Sequence, residues 1–317
     1  MTRHQSAPPS GKRTQHKTSF EIRRLCEIRW RFVDILALGY MAVIGLTLPF
    51  FHHHVPFWPR DVLIHFLFVA MALAILCLAG KYPALKTLRF LRTFYPLAII
   101  FYGYFEMNHM NRMFCGSYWA MDLLVAADQM IFGVSPTVWV QQFYTPWRDE
   151  LMNAFYASYY SFAPLATLPL FLRGKQEQTL AVFGMVTFSY LGNFVLFYAF
   201  PALCPRMIPE LEAMRTADFT GYYAAALVKY FQSQGAISGG CFPSTHVSGA
   251  MAWALATWRY NRKLSFLLLP MALGVALATV YLGYHHALDP IVGLLWAFCA
   301  YPITRAFLRS RNEDPKP

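Results

Sequence analysis

The sequence predicts an all-α polytopic integral membrane protein with about eight transmembrane helices. Three observations predict it. Hydrophobic residues make up 57% of the 317 residues and charged residues only 14%. The apolar residues gather into repeated runs of about 20, the length a helix needs to cross a bilayer. Aromatic residues reach 17%, which suits a protein with aromatic belts at both membrane interfaces.

The runs place spans at 32–51, 61–79, 94–111, 150–171, 180–200, 245–259, 264–282 and 290–308. The tail of residues 1–31 is basic, rich in Pro, Gly and Ser over its first part, and is expected to be cytoplasmic and disordered. It has no short apolar core ahead of a cleavage site, so the first span is expected to act as the insertion signal. Spans 1 and 2, within 32–79, read as two additional N-terminal helices. The six spans from 94 to 308 read as the catalytic bundle, and 309–317 as a second cytoplasmic tail.

The net charge of +11 raises nucleic acid as a partner, but its distribution argues for topology instead. With the N-terminus inside, the basic tail, Lys81, Lys86, Arg89, Arg92, Arg173, Lys175, Arg259, Arg262, Lys263, Arg305, Arg309, Arg311 and Lys316 share the cytoplasmic face. Only Arg60, Arg112, Arg148, Arg206, Arg215 and Lys229 fall outside. That is the positive-inside asymmetry, and it also favours anionic headgroups at the inner face. No nucleic-acid partner is expected. The predicted outer loops lack a glycosylation sequon, which points to a bacterial inner membrane.

Two outer segments are too long to be turns. Residues 112–149 read as an amphipathic interfacial helix around Asp122 and Asp128, broken at Gly133 and Pro136. Residues 201–243 carry Pro201, Pro205 and Pro209, then a mixed helical stretch, then Gly239-Gly240. Long loops in compact proteins are usually functional or disordered, and this one joins two motifs, so it reads as an active-site loop.

Three short polar segments map to the outer face: Cys204-Pro205-Arg206; Cys241-Phe242-Pro243-Ser244-Thr245-His246; and Tyr284-His285-His286-Ala287-Leu288-Asp289. Ionisable residues at a membrane site are costly and point to function. Pro243 and Ser244 fit a helix start, whose free N–H groups favour an anion. Ser244 or Thr245 adds a hydroxyl, and Arg206 a planar fork for phosphate oxygens. His246 has the titration range of a general acid. His285 and Asp289, four apart, lie on one helical face, so the carboxylate can fix the imidazole tautomer and leave the other nitrogen to attack phosphorus. Together these parts form a phosphoryl-transfer site.

Pro-Ser-Thr-His followed by Tyr-Leu-Gly-Tyr-His-His-Ala-Leu-Asp resembles the type 2 phosphatidic acid phosphatase superfamily. The resemblance implies His246 as acid, His285 as nucleophile, Asp289 as its orienter and Ser244 with its neighbours as phosphate ligands, with no metal and no cofactor. Two departures stand out: no Lys lies seven residues before Arg206, and Ala278-Thr279 replaces the usual Ser-Arg. Both resemble the inositol phosphorylceramide synthase branch, as does the segment with Asp122, Asp128, Phe132-Gly133, Pro136 and Trp139. That branch transfers a phosphate headgroup from a phospholipid to a lipid alcohol. The expected function is therefore a phosphotransferase acting through a phosphohistidine. A lipid phosphate or polyprenyl diphosphate phosphatase is the alternative, and a non-catalytic transporter or scaffold the alternative from another class.

Several signals have blander readings. Asp289 before Pro290 fits a helix cap. His286 with His285, Asp289 and His246 has the chemistry of a zinc site, which the resemblance does not imply. His52-His53-His54 reads as solvated histidines in an outer turn. Glu106, His109 and Arg112 read as bundle hydrogen bonding rather than headgroup contacts, and Tyr156, Tyr159 and Tyr160 as packing residues. Cys204 and Cys241 flank the motifs and are expected to lie near each other, as a disulfide or as free thiols.

Overall fold

A computed structural model describes residues 28–217 and 220–317. Most of the expected N-terminal tail, with Cys26, lies outside these residues. The described chain is helical, with no strand, and belongs to an integral membrane protein. Its helices are α1 (Phe32–Thr47, continued to Phe51 by a 3-10 turn), α2 (Trp58–Lys81), α3 (Lys86–Met110), α4 (Met121–Phe132), α5 (Pro136–Trp139), α6 (Pro146–Ser158), α7 (Phe162–Leu172), α8 (Gln176–Ala199), α9 (Pro209–Ala213), α10 (Tyr223–Gly235), α11 (Thr245–Tyr260), α12 (Arg262–Tyr281) and α13 (Leu288–Ser310).

Five of these, α1 with its extension, α2, α8, α12 and α13, are long and apolar enough to cross a membrane by themselves. The other three expected spans are helical but differ in kind. Helix α3 has 25 residues, roughly 37 Å at the helical rise, but carries Lys86, Arg89, Arg92 and Glu106. Helix α11 is short because Ser244 caps its start. The expected span 150–171 is two helices, α6 and α7, joined by a 3-10 turn at Tyr159–Ser161. The sequence explains the break. Pro164 has no N–H to continue the ladder, and the Ser158 and Ser161 hydroxyls donate to the carbonyls of Phe155 and Ser158, both at 2.6 Å.

Helix α11 sits at the centre, packed on α12, α13 and α8, while α6 packs on α12 and α10. Helices α1 and α2 form an outer layer against α3 and α8. Two buried polar clusters fasten that layer. Asp34 accepts from Arg92 and Tyr95, both at 2.7 Å. Glu106, 2% exposed, accepts from Tyr40 at 2.8 Å and pairs with His65 at 3.2 Å. His109 contacts Asp61 at 2.9 Å. Glu106 and His109 thus serve the bundle. His52, His53 and His54 lie exposed in the turn after α1.

Residues after Ser310 do not trail free. Glu313 accepts from the Phe32 N–H at 2.6 Å, and Gln178 donates to the Lys316 carbonyl at 2.8 Å. Asp314 is surrounded by Arg259, Arg305 and Arg309. Burial alone would push its carboxyl up; the three guanidiniums outweigh it and hold it below its ordinary 3.8. A carboxyl depressed on folding adds stability above its unfolded range and loses it as pH falls through the folded value. Acidification below about pH 4 is therefore expected to loosen this segment. Asp314→Asn removes that acid-dependent part, read by limited proteolysis of the C-terminus across pH. An unchanged profile in the variant contradicts the assignment.

Candidate active site

The three polar segments come from separate loops, and backbone hydrogen bonds stitch each to the others. Ala202 N–H donates to the Gly239 carbonyl at 3.2 Å, within an isolated β-bridge between Ala202 and Gly240. Arg206 N–H donates to the Gly283 carbonyl at 3.3 Å, and Ser244 N–H to the Asp289 carbonyl at 3.2 Å. Gly283 has φ +75°, and a Cβ there would meet the Arg215 guanidinium and lie 3.0 Å from Arg206 Cγ. Only glycine suits that conformation and that approach. Gly293 lets α13 close on the start of α11, since a Cβ would sit 2.9 Å from the Ser244 carbonyl oxygen.

At the junction His285 is 4% exposed. Its Nδ1 lies 3.1 Å from Asp289 Oδ2, and its Nε2 lies 3.0 Å from Ser244 Oγ. An ionised carboxylate only accepts, so Nδ1 carries the proton and Nε2 its lone pair. Asp289 Oδ2 also accepts from the Cys241 thiol and the His286 N–H, both at 2.9 Å. Burial, the Asp289 charge and Cys204 push the Cys241 thiol well above its ordinary value, so it stays protonated and donates. Ser244 caps α11, accepting weakly from Val247 N–H at 3.4 Å.

The capping that the blander reading gave to Asp289 comes from Asp128. Its two oxygens accept from Ala287 N–H at 3.1 Å and Leu288 N–H at 3.3 Å, at the first turn of α13. Asp289 is thereby left to His285, Cys241 and His286. Helix α4, which carries Asp128, ends at Gly133 (φ +73°), and the pair α4 and α5 bends by 63° at the predicted breakers.

A cavity of about 390 Å³ opens on this junction, lined among others by Arg206, His246, His285, Cys204 and Cys241. The His246 and His285 rings have centroids 6.1 Å apart. Arg206 places its guanidinium 4.9 Å over the Tyr284 ring. Ser244 and Thr245 are both buried and lie outside the cavity lining, Ser244 reaching it through its bond to His285. Both cysteines are free thiols.

His286 faces away, its Nε2 3.3 Å from the Leu203 carbonyl and its Nδ1 3.7 Å from Asp128. It therefore does not join His285 and His246 in a zinc-like set. The ligand atoms of Cys241, His285 and Asp289 do lie within 4.8 Å of one another. A cation there would have to displace the thiol and imidazole protons that now bridge those atoms.

Four participants were not legible as such in the sequence. Tyr156, on α6, brings its hydroxyl 3.1 Å from His246 Nε2 and accepts from Gln232 Nε2 at 2.8 Å. Its ring also stacks on His246 at 5.1 Å. One tyrosine among three in an apolar stretch carries no distinguishing signal. Lys229 and Gln232 both line the cavity; their i, i+3 spacing on α10 was the available clue. Arg215 donates to the Leu282 carbonyl at 3.2 Å and sits against Glu212 at 3.2 Å. Burial and the neighbouring Arg206 push its guanidinium below its ordinary value. Positive charge thus converges on the cavity from the 201–243 loop.

The arrangement can hold an anion beside a lone-pair nitrogen and a second imidazole. A family model described as the PAP2 superfamily matches residues 122–303, more than half of the chain and all three segments. Neither curated proteins nor solved structures gave a match.

Proposed function

The chain belongs to the PAP2 superfamily, whose chemistry is of the lipid-phosphate phosphatase or phosphotransferase type, and from that premise we propose that it is a phosphotransferase carrying a phosphate headgroup from a phospholipid to a lipid alcohol. The observation that carries the reading is the His285–Asp289 pair at 3.1 Å, with His246 across the same cavity.

His285 Nε2 attacks phosphorus, and the bond from phosphorus to the lipid alcohol oxygen breaks. His246 delivers a proton to that oxygen, and the alcohol leaves. His246, now a base, takes the proton of the acceptor hydroxyl. The acceptor oxygen attacks phosphorus, the P–N bond breaks and His285 is restored. Arg206, Ser244 and backbone N–H groups at the start of α11 stabilise the equatorial oxygens, the electrostatic contribution that dominates phosphoryl transfer. Asp289 holds His285 in the attacking tautomer and stabilises its cationic form. No metal is assigned to these steps. The site faces the non-cytoplasmic side of a bacterial inner membrane, with both termini inside.

What supports transfer over hydrolysis is the pair of departures that resemble the inositol phosphorylceramide synthase branch. A transporter or scaffold would have no use for Arg206, His246 and His285 on one cavity. Purified protein given labelled phospholipid, with and without ceramide or diacylglycerol, is expected to form a new phospholipid only when acceptor is present. Free phosphate released equally without acceptor would make it a hydrolase.

A further inference from the structure

A second cavity, of about 230 Å³, meets the first at Tyr104, Gln232 and His246, which line both. Its character is different. Leu97, Phe101, Phe105, Ala163, Phe231 and Trp253 line it. Two of its tyrosine hydroxyls, on Tyr159 and Tyr190, bond each other at 2.6 Å, which uses one of their two donors.

The lining fixes its direction. It follows α3 from Tyr104 back to Leu97 and α11 from His246 on to Trp253, in each case about 10 Å along the bundle. It therefore runs from the level of His246 into the hydrocarbon region. Phe101 and Phe105, 53% and 49% exposed, stand on its outer wall, and Gly235 at the end of α10 abuts Phe105, where a Cβ would lie 2.9 Å from the ring. The outer wall on α3 is thus half exposed on the outside of the bundle, with α10 closing on it through Gly235.

We infer that this chamber holds the aliphatic chain of the lipid alcohol, leaving alcohol and acceptor in turn, with the hydroxyl oxygen at His246. The inference rests on the phosphotransfer reading and deepens it. With phosphorus beside His285 Nε2 and the alcohol oxygen beside His246, the carbon chain continues past His246, away from Arg206 and Lys229. The aromatic chamber continues from His246 and favours methylenes over a charged headgroup. Donor-derived alcohol and acceptor then compete for one place, and the polar cavity is kept for phosphate and headgroup.

The test uses a long-chain alcohol carrying a diazirine in its chain, irradiated with wild type, His285→Ala and Ala163→Phe, and mapped by peptide mass spectrometry. Labels are expected on the chamber residues of α3, α7 and α11 in wild type and in His285→Ala, falling about fivefold or more when Phe at 163 fills the chamber. The ratio of transfer rates for long over short acceptors should fall about tenfold in the same variant. Should Ala163→Phe fail to fold, Phe231→Ala enlarges the chamber and must raise that ratio. Labels spread over lipid-facing positions such as Phe266 and Leu277, unchanged by Ala163→Phe, overturn the inference. Labelling does not need turnover, so a chamber that takes the probe in a protein that transfers nothing refutes the phosphotransfer reading instead.

Discussion

His285→Ala is expected to abolish turnover, by about 10⁴-fold or more, because in the proposed mechanism it removes the nitrogen that attacks phosphorus. The packing cost is contained. His285 is held by Asp289, Ser244 and Cys241, while the three backbone stitches between Ala202 and Gly239, Arg206 and Gly283, and Ser244 and Asp289 do not involve its side chain. A variant that elutes and melts like wild type but is inert separates chemistry from folding. His286→Ala is the contrasting case. That ring faces Leu203 and Asp128, so its loss should lower stability more than rate. Wild-type rates in His285→Ala would refute the nucleophile.

Asp289→Asn is expected to lower kcat by about 10³ to 10⁴-fold with a smaller change in KM. The reason lies in what converges on one oxygen. Asp289 Oδ2 accepts from His285 Nδ1, the Cys241 thiol and the His286 N–H, and a carboxylate can take all three. An amide can take all three only with its oxygen in that place, which buries its NH₂ where Asp289 Oδ1 now has no partner among the described residues, and it brings no charge to stabilise a cationic His285. If the amide nitrogen faces the imidazole, the proton shifts to Nε2 and the attacking lone pair disappears. Because the caps of α13 come from Asp128, the helix start should survive this change. A near-wild-type kcat in a folded Asp289→Asn variant would assign the carboxylate a structural part only.

The fold was largely legible because bilayer spans write themselves as long apolar runs, and each expected run is helical. What the runs could not convey was interruption inside them. Tyr159–Ser161 breaks a span that hydropathy treats as continuous, since serine hydroxyls and Pro164 act on backbone hydrogen bonds and barely alter average hydrophobicity. The candidate site drew notice for a related reason. Arg206, Ser244, His246, His285 and Asp289 are polar residues in short runs where polarity is expensive, so they stand out. Tyr156 does not, because a tyrosine among apolar neighbours is ordinary until its hydroxyl is found 3.1 Å from His246. Asp128 was noticed through the resemblance, yet its part as the cap of α13 depends on a contact across 159 residues of chain, which no local pattern records. Lys229 is itself exposed on α10, and in the sequence it stood only among the basic residues of the outer side.

The most direct measurement of the central claim is to trap the covalent intermediate. Wild-type protein is mixed briefly with a phospholipid radiolabelled at phosphorus, without acceptor, quenched in alkali and mapped. An alkali-stable, acid-labile label is expected on the peptide containing His285, discharged by adding a lipid alcohol and absent from His285→Ala. A label on any other residue, or transfer to acceptor with none on the protein at any time, would contradict it.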